Sequence, residues 1–189
     1  MKNNIVLKKK TLVGLFLAAV FAILSSIQIL GIGPDRFQYE SYFNKITLSD
    51  FDSRYEFGFE YFSILFKTFF GSGSFLFFIF SIVFLSLVIK FNYLLKRKDW
   101  PILILLYLII AMILHEFIQI RVGLAIAFCI LSLAEACKNK PSFVLKTLFF
   151  FFAISLHSTS VFFAPFIFMN VIFKQYNRFY IVAYVFTVF

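Results

Sequence analysis

His115-Glu116-Phe117-Ile118-Gln119-Ile120-Arg121 puts three ionisable groups into seven residues, and the runs on both sides, 101–114 and 122–134, carry no charge. A charge at the centre of a bilayer costs roughly +2.5 to +3.5 kcal/mol on insertion scales. Such a cluster therefore belongs at a membrane face or in a site that uses it. The flanking charges decide where the run turns. Lys96, Arg97 and Lys98 precede it, and Lys138 and Lys140 follow it. One straight helix over 101–135 would be about 52 Å long, against a hydrocarbon core of about 30 Å. With both basic ends on the cytoplasmic side, the segment reads as a tight hairpin whose apex, near 115–121, lies on the outer side. No Gly or Pro marks that apex.

The rest of the chain repeats the design. Hydrophobic residues make up 62% of its 189 positions, including 32 Phe, and only 14% are charged. A soluble domain has about 25% charged residues, so the composition is that of a polytopic membrane protein. The net charge of +9 would suggest nucleic acid in a soluble chain. Here the basic residues sit in short runs between apolar spans, which is a topology signal and leaves nucleic acid out. Residues 1–10 form a lysine-rich cytoplasmic tail, and 11–32 a first span too long for a signal peptide. Residues 75–95 form a second span. The 142–173 segment is a second hairpin with the polar apex His157-Ser158-Thr159-Ser160. The chain stops about 11 residues into a further apolar run, 179–189, as an N-terminal fragment of a longer protein would. The fold class expected is all-α: one transmembrane domain with about six complete spans and a partial seventh.

Between the first two spans, 33–74 is an outer loop. It holds six of the nine acidic residues, Asp35, Glu40, Asp50, Asp52, Glu56 and Glu60, with Tyr39, Tyr42, Tyr55 and Tyr61. Phe59, Phe62, Phe66 and Phe69 recur at helical spacing, as in an amphipathic helix on a membrane surface. Three polar elements thus share the outer face: this loop and the two hairpin apices.

Arg121 is the first candidate for chemistry, because a guanidinium fork suits phosphate; the alternative is a residue snorkelling to the headgroups. His157 has the proton chemistry to serve a phosphate near neutral pH, or simply ends a helix in water. His115, Glu116 and Gln119 share the first apex. Asp35, at the mouth of the first span, has the chemistry of a base for a sugar hydroxyl. Glu56 and Glu60 share a helix face, a pairing that glycoside chemistry uses and solvated surfaces use more often. Tyr39 and Tyr42 suit stacking on sugar rings, or an interfacial belt. Cys129 and Cys137 read as small apolar fillers. Metal clusters, phosphate-binding glycine loops, nucleophile elbows and dinucleotide fingerprints are absent, so no cofactor is expected.

Three stretches resemble the EpsG family, the Wzy-like polymerases of bacterial exopolysaccharide and O-antigen. They are Asp35-Arg-Phe-Gln-Tyr39-Glu-Ser-Tyr42 with Tyr55-Glu56-Phe57-Gly58-Phe59-Glu60, then Gln119-Ile120-Arg121-Val122-Gly123-Leu124-Ala125, and Ser155-Leu156-His157-Ser158-Thr159-Ser160 with Pro165. The resemblance implies a GT-C-like fold in the bacterial inner membrane with the N-terminus in the cytoplasm. It implies polymerisation of undecaprenyl-diphosphate-linked repeat units at the outer face, without metal or nucleotide sugar. Membrane lipids and other polysaccharide-assembly proteins would be its partners. On that reading Asp35 or Glu56 is the base, and Arg121 and His157 stabilise the leaving diphosphate. Tyr39, Tyr42, Glu60, His115, Glu116, Gln119 and Ser158 bind substrate. A precursor transporter or flippase, and a non-catalytic truncated subunit, are the competing readings.

Overall fold

The computed structural model describes residues 2–27, 34–47 and 55–168. The apolar run after 168, and Asp50 and Asp52 of the outer loop, lie outside them. Every element among the described residues is helical. Helix α1 (Lys2–Ile27) carries the N-terminal lysines straight into the first apolar run. Pro34 opens α2 (Pro34–Lys45), where a proline's missing N–H costs nothing. Next come α3 (Phe57–Phe70) and α4 (Phe75–Leu94), separated by Gly71 at φ +83°, a left-handed conformation that favours glycine. Lys10–Ile27 and Ser72–Leu94 are long and apolar enough to cross a bilayer, while Trp100–Ala111, Phe143–Leu156 and Ser158–Phe168 are shorter apolar helices.

Helices α1 and α4 pack antiparallel. Gly14 of α1 lies against Leu95 and Phe91, so close that a Cβ there would sit 2.6 Å from Leu95 Cδ1. The same end of the bundle holds Lys10 over the Trp100 ring, at 5.6 Å. Helix α2 docks on the other end of α4, with Phe43 against Phe75 and Phe78. Lys67 of α3 ties it down through the carbonyls of Asn44 and Ile46, at 2.7 and 2.9 Å.

Residues 101–135 form the expected hairpin. Helix α5 (Trp100–Leu106) continues through two π-wound stretches, Tyr107–Ala111 and Ile113–Ile118, to a break at Gln119 (φ −105°, ψ 61°), and α6 (Ile120–Ala136) follows. A Cβ on Gly123 would lie 2.6 Å from the His115 carbonyl oxygen. In one unbroken helix residues eight apart would be about 12 Å apart, so the chain has reversed. Ser86 of α4 straps the two arms together: its Oγ lies 3.1 Å from Glu116 Oε1 and 3.0 Å from the Gly123 carbonyl.

The π winding has a consequence for side chains. Nine residues of α-helix is two and a half turns, which would put Tyr107 and Glu116 on opposite faces. The wider π winding makes nine residues close to two turns, and the Tyr107 hydroxyl donates to Glu116 Oε1 at 2.6 Å.

The second hairpin is present too. Helix α7 (Phe143–Leu156) is capped by the Ser142 hydroxyl and ends at an extended His157 (φ −158°). A 3₁₀ turn (Ser158–Phe163) leads into α8 (Ala164–Phe168). The Phe168 ring returns to 5.5 Å from Phe150. An unbroken helix would carry it about 27 Å away.

The phenylalanine stripe of α3 divides. Phe59 is buried, and Phe66 packs on the core, while Phe62 and Phe69 are exposed together with Phe57, Tyr61, Leu65 and Phe70. The buried side of α3 runs through Gly58, Phe59, Glu60, Ser63 and Ile64.

Candidate functional site

Helix α3 approaches the end of α7 closely because Gly58 has no side chain: a Cβ there would fall 2.5 Å from Ser155 Oγ and 2.6 Å from the Ser155 carbonyl oxygen. That contact sets Glu56, two residues earlier, opposite His157. Glu56 occupies the N-cap position of α3 but its side chain does not cap the helix. Its carboxylate turns instead to the apex of the second hairpin. His157 Nδ1 lies 3.0 Å from Oε1, the Ser158 N–H donates to the same oxygen at 3.2 Å, and the Ser158 hydroxyl lies 3.4 Å away. An ionised carboxylate only accepts, so the ring nitrogen donates. The other oxygen, Oε2, accepts from Arg121 of α6.

Three remote segments therefore meet on one carboxylate. All three side chains are about one-fifth exposed, Arg121 18%, Glu56 21% and His157 22%, so solvent or a ligand reaches them. Burial alone would raise the Glu56 pKa. The hydrogen bonds from His157 and Ser158 and the Arg121 charge outweigh it, and the carboxyl falls from 4.5 to about 2.

Behind the guanidinium stands an aromatic wall. Arg121 Cζ is 4.7 Å from the Tyr55 ring centroid, 5.6 Å from Phe59 and 5.7 Å from Tyr39. Its Nε is 3.4 Å from the Tyr39 hydroxyl. Tyr42 packs on Tyr55 at 4.2 Å. Tyr39 and Tyr42 are both buried, so they hold Arg121 and Tyr55 in place and present no open ring face. These cation–π contacts orient the charge without neutralising it.

Of the residues expected at the site, Glu56, Arg121, His157, Ser158 and Tyr39 are brought together. Gln119 supplies the break before α6, two residues ahead of Arg121. Asp35 lies in the first turn of α2, and its side chain is outside the described ones. Glu60 is turned inward, 4% exposed, and its Oε1 has no hydrogen-bond partner among the described residues.

His115 and Glu116 lie elsewhere, deep in the bundle. Glu116 Oε1 accepts from Lys90 Nζ at 2.5 Å and from Tyr107, and the Glu116 carbonyl accepts from Ser25 Oγ at 2.5 Å. Lys90 and Glu116 are 1% and 0% exposed. Lys90 is the residue that the sequence reading passed over. Its signal was available: a lone lysine inside the second apolar span, five residues before the span ends. An intramembrane ionisable group calls for a partner, and Glu116 is it. Among the described residues no group of three or more His, Cys, Asp or Glu has metal-binding geometry.

Comparison with known proteins adds one match. The EpsG family model covers residues 11–189. No curated protein and no solved structure matches the chain. The chain belongs to the EpsG family. Membership points to a polymerase-like role in polysaccharide biosynthesis, to lipid-linked substrates and, with the apolar helices, to a membrane protein.

Proposed function

We propose that this EpsG-family chain polymerises undecaprenyl-diphosphate-linked oligosaccharide repeats at the outer face of the bacterial inner membrane. On this proposal 1–189 is a single transmembrane domain with about six spans. Residues 1–10 are cytoplasmic and 33–74 lie outside. The observation that carries the reading is the meeting of Glu56, Arg121 and His157 at the end of the bundle opposite the Lys10–Trp100 contact. Lys96, Arg97 and Lys98 follow α4 at the Lys10 end, and their charge supports reading that end as the cytoplasmic face.

In this mechanism a hydroxyl of one repeat unit attacks the anomeric carbon of the sugar on a second carrier. The bond from that carbon to the diphosphate oxygen breaks, and its electron pair leaves with the diphosphate. The hydroxyl proton passes to a carboxylate, Glu56 or Asp35. Arg121 and His157 face the charge that develops on the departing diphosphate. Arg121 is the stronger contributor, since its fork matches two phosphate oxygens and the aromatic wall fixes its plane. Ser158 joins Arg121 and His157 through its N–H and hydroxyl, and sugar contacts fall to the half-buried Tyr55.

Complementation of a polymerase-deficient strain tests this. Arg121→Ala and Arg121→Lys should insert at wild-type level yet yield single repeat units in place of a long-chain ladder on a gel. An unchanged ladder removes Arg121 from the mechanism.

A second reading, transport of the lipid-linked precursor, draws on the buried Lys90–Glu116 pair beside π-wound helix. Transporters place ionisable residues at such broken helices near the midplane. Cysteines introduced at 118 and 119, the partly exposed positions beside the break, separate the two. Labelling from the outside alone supports the polymerase, and labelling from either side in turn supports transport.

A further inference from the structure

The Glu56 carboxylate is itself an anion in an anion site. Four donors converge on it from two hairpin apices: the Arg121 guanidinium, His157 Nδ1, the Ser158 N–H and the Ser158 hydroxyl. That set, one fork-shaped cation with a ring N–H, a backbone N–H and a hydroxyl, is what a phosphate group takes from a protein. Glu56 leaves its own helix uncapped to occupy it. Position and exposure make the seat reachable, and the aromatic wall keeps Arg121 in place whichever anion stands in front of it.

We propose that Glu56 is a built-in stand-in for phosphate, and that a lipid-linked diphosphate binds by displacing it from Arg121, His157 and Ser158. The inference rests on the polymerase reading for the identity of the ligand. A diphosphate brings about two negative charges to a seat with one arginine and one histidine, so the carboxylate and the ligand do not share it. The displacement also does chemical work. While its donors hold it, the Glu56 carboxyl stays near 2, far too acidic for an effective base at neutral pH. Once the diphosphate has taken the donors, the carboxylate returns toward the ordinary range. It then accepts the acceptor hydroxyl's proton as the new glycosidic bond forms and the diphosphate leaves with its bonding pair. The base is thus withheld until the leaving group is seated, which protects the empty site from hydrolysing passing substrate.

The test is a binding measurement on the full chain in detergent micelles at pH 7, with inorganic pyrophosphate and farnesyl diphosphate as probes. Glu56→Gln removes the competing charge and should bind both probes at least tenfold more tightly than wild type. Arg121→Ala should bind at least tenfold more weakly; if it does not fold, Arg121→Lys, which keeps the charge and loses the fork, takes its place. A Glu56→Gln affinity equal to or weaker than wild type overturns the proposal. Farnesyl diphosphate should bind more tightly than pyrophosphate in every form that binds; equal affinities overturn the lipid-linked assignment. These results are independent of polymer synthesis. Tightening in Glu56→Gln alongside no polymer ladder from the wild-type chain in a polymerase-deficient strain would keep the seat and discard the polymerase.

Discussion

Removing one partner of the Lys90–Glu116 pair should be among the most damaging single changes in the bundle. The two groups are 1% and 0% exposed and 2.5 Å apart. Ser86 and Tyr107 also converge on Glu116 Oε1. Glu116→Ala leaves the Lys90 ammonium buried with the Tyr107 hydroxyl as its remaining partner, at 3.2 Å. Breaking a buried pair this way costs about 3–5 kcal/mol. For a chain of this size 1 kcal/mol moves the melting temperature by about 2–4 °C, so the loss amounts to roughly 6–20 °C. The double change Lys90→Met with Glu116→Leu removes both charges and should recover most of that loss, because replacing a whole buried pair with apolar groups is often neutral. The cysteines provide the assay. Cys129 is buried and Cys137 exposed, so in a Cys137→Ser background a thiol-reactive dye reports unfolding through Cys129 alone. A Glu116→Ala melting curve within about 2 °C of the parent, or a double variant no more stable than the single one, would refute the pairing.

Other outcomes follow from the same contacts. Gly58→Ala sets a Cβ 2.6 Å from the Ser155 carbonyl oxygen, pushes α3 off α7, and should both lower the melting temperature by several degrees and shorten or abolish polymer; a normal ladder would show that the α3–α7 contact does not set the site. Gly123→Ala forces a Cβ against the His115 carbonyl at 2.6 Å and should lower the melting temperature by several degrees, an outcome the same dye assay reads. Glu56 is more acidic in the folded chain than its ordinary 4.5. Its contribution to stability is therefore full above pH 4.5 and fades as pH falls toward about 2. Wild type should lose more stability than Glu56→Gln over that window, and parallel losses in an acid titration of unfolding would contradict the shift.

The hairpins were legible because charge placement and span length together left little choice. A 35-residue run with basic ends on one side must turn, and it turns at Gln119. What was not legible was how. The glycine that permits the turn is Gly123, four residues beyond the apex, where its missing side chain admits the other arm's carbonyl; a search for turn residues at the apex finds nothing. Arg121, Glu56, His157 and Ser158 were recognisable by residue type and by topological level, since all fall at the same end of predicted helices. Their convergence on one carboxylate was not, because it depends on Gly58 against Ser155, a contact nearly a hundred positions apart. His115 and Glu116 were drawn to the outer apex by adjacency to Arg121. The π winding of 107–118 instead rotates Glu116 inward to Lys90 and Tyr107. Sequence periodicity assumes 3.6 residues per turn, so it misassigns faces where that period fails.

The convergence of three segments is best tested by distance. In a chain with Cys129 and Cys137 changed to serine, cysteines placed at 56 and 158 should be joined in high yield by a short bis-methanethiosulfonate reagent, and cysteines at 56 and 121 likewise, with the linked peptides identified by mass spectrometry. Cross-linking no greater than that of a distant pair such as 56 with 137 would mean that Glu56, Arg121 and the His157 apex do not form one site.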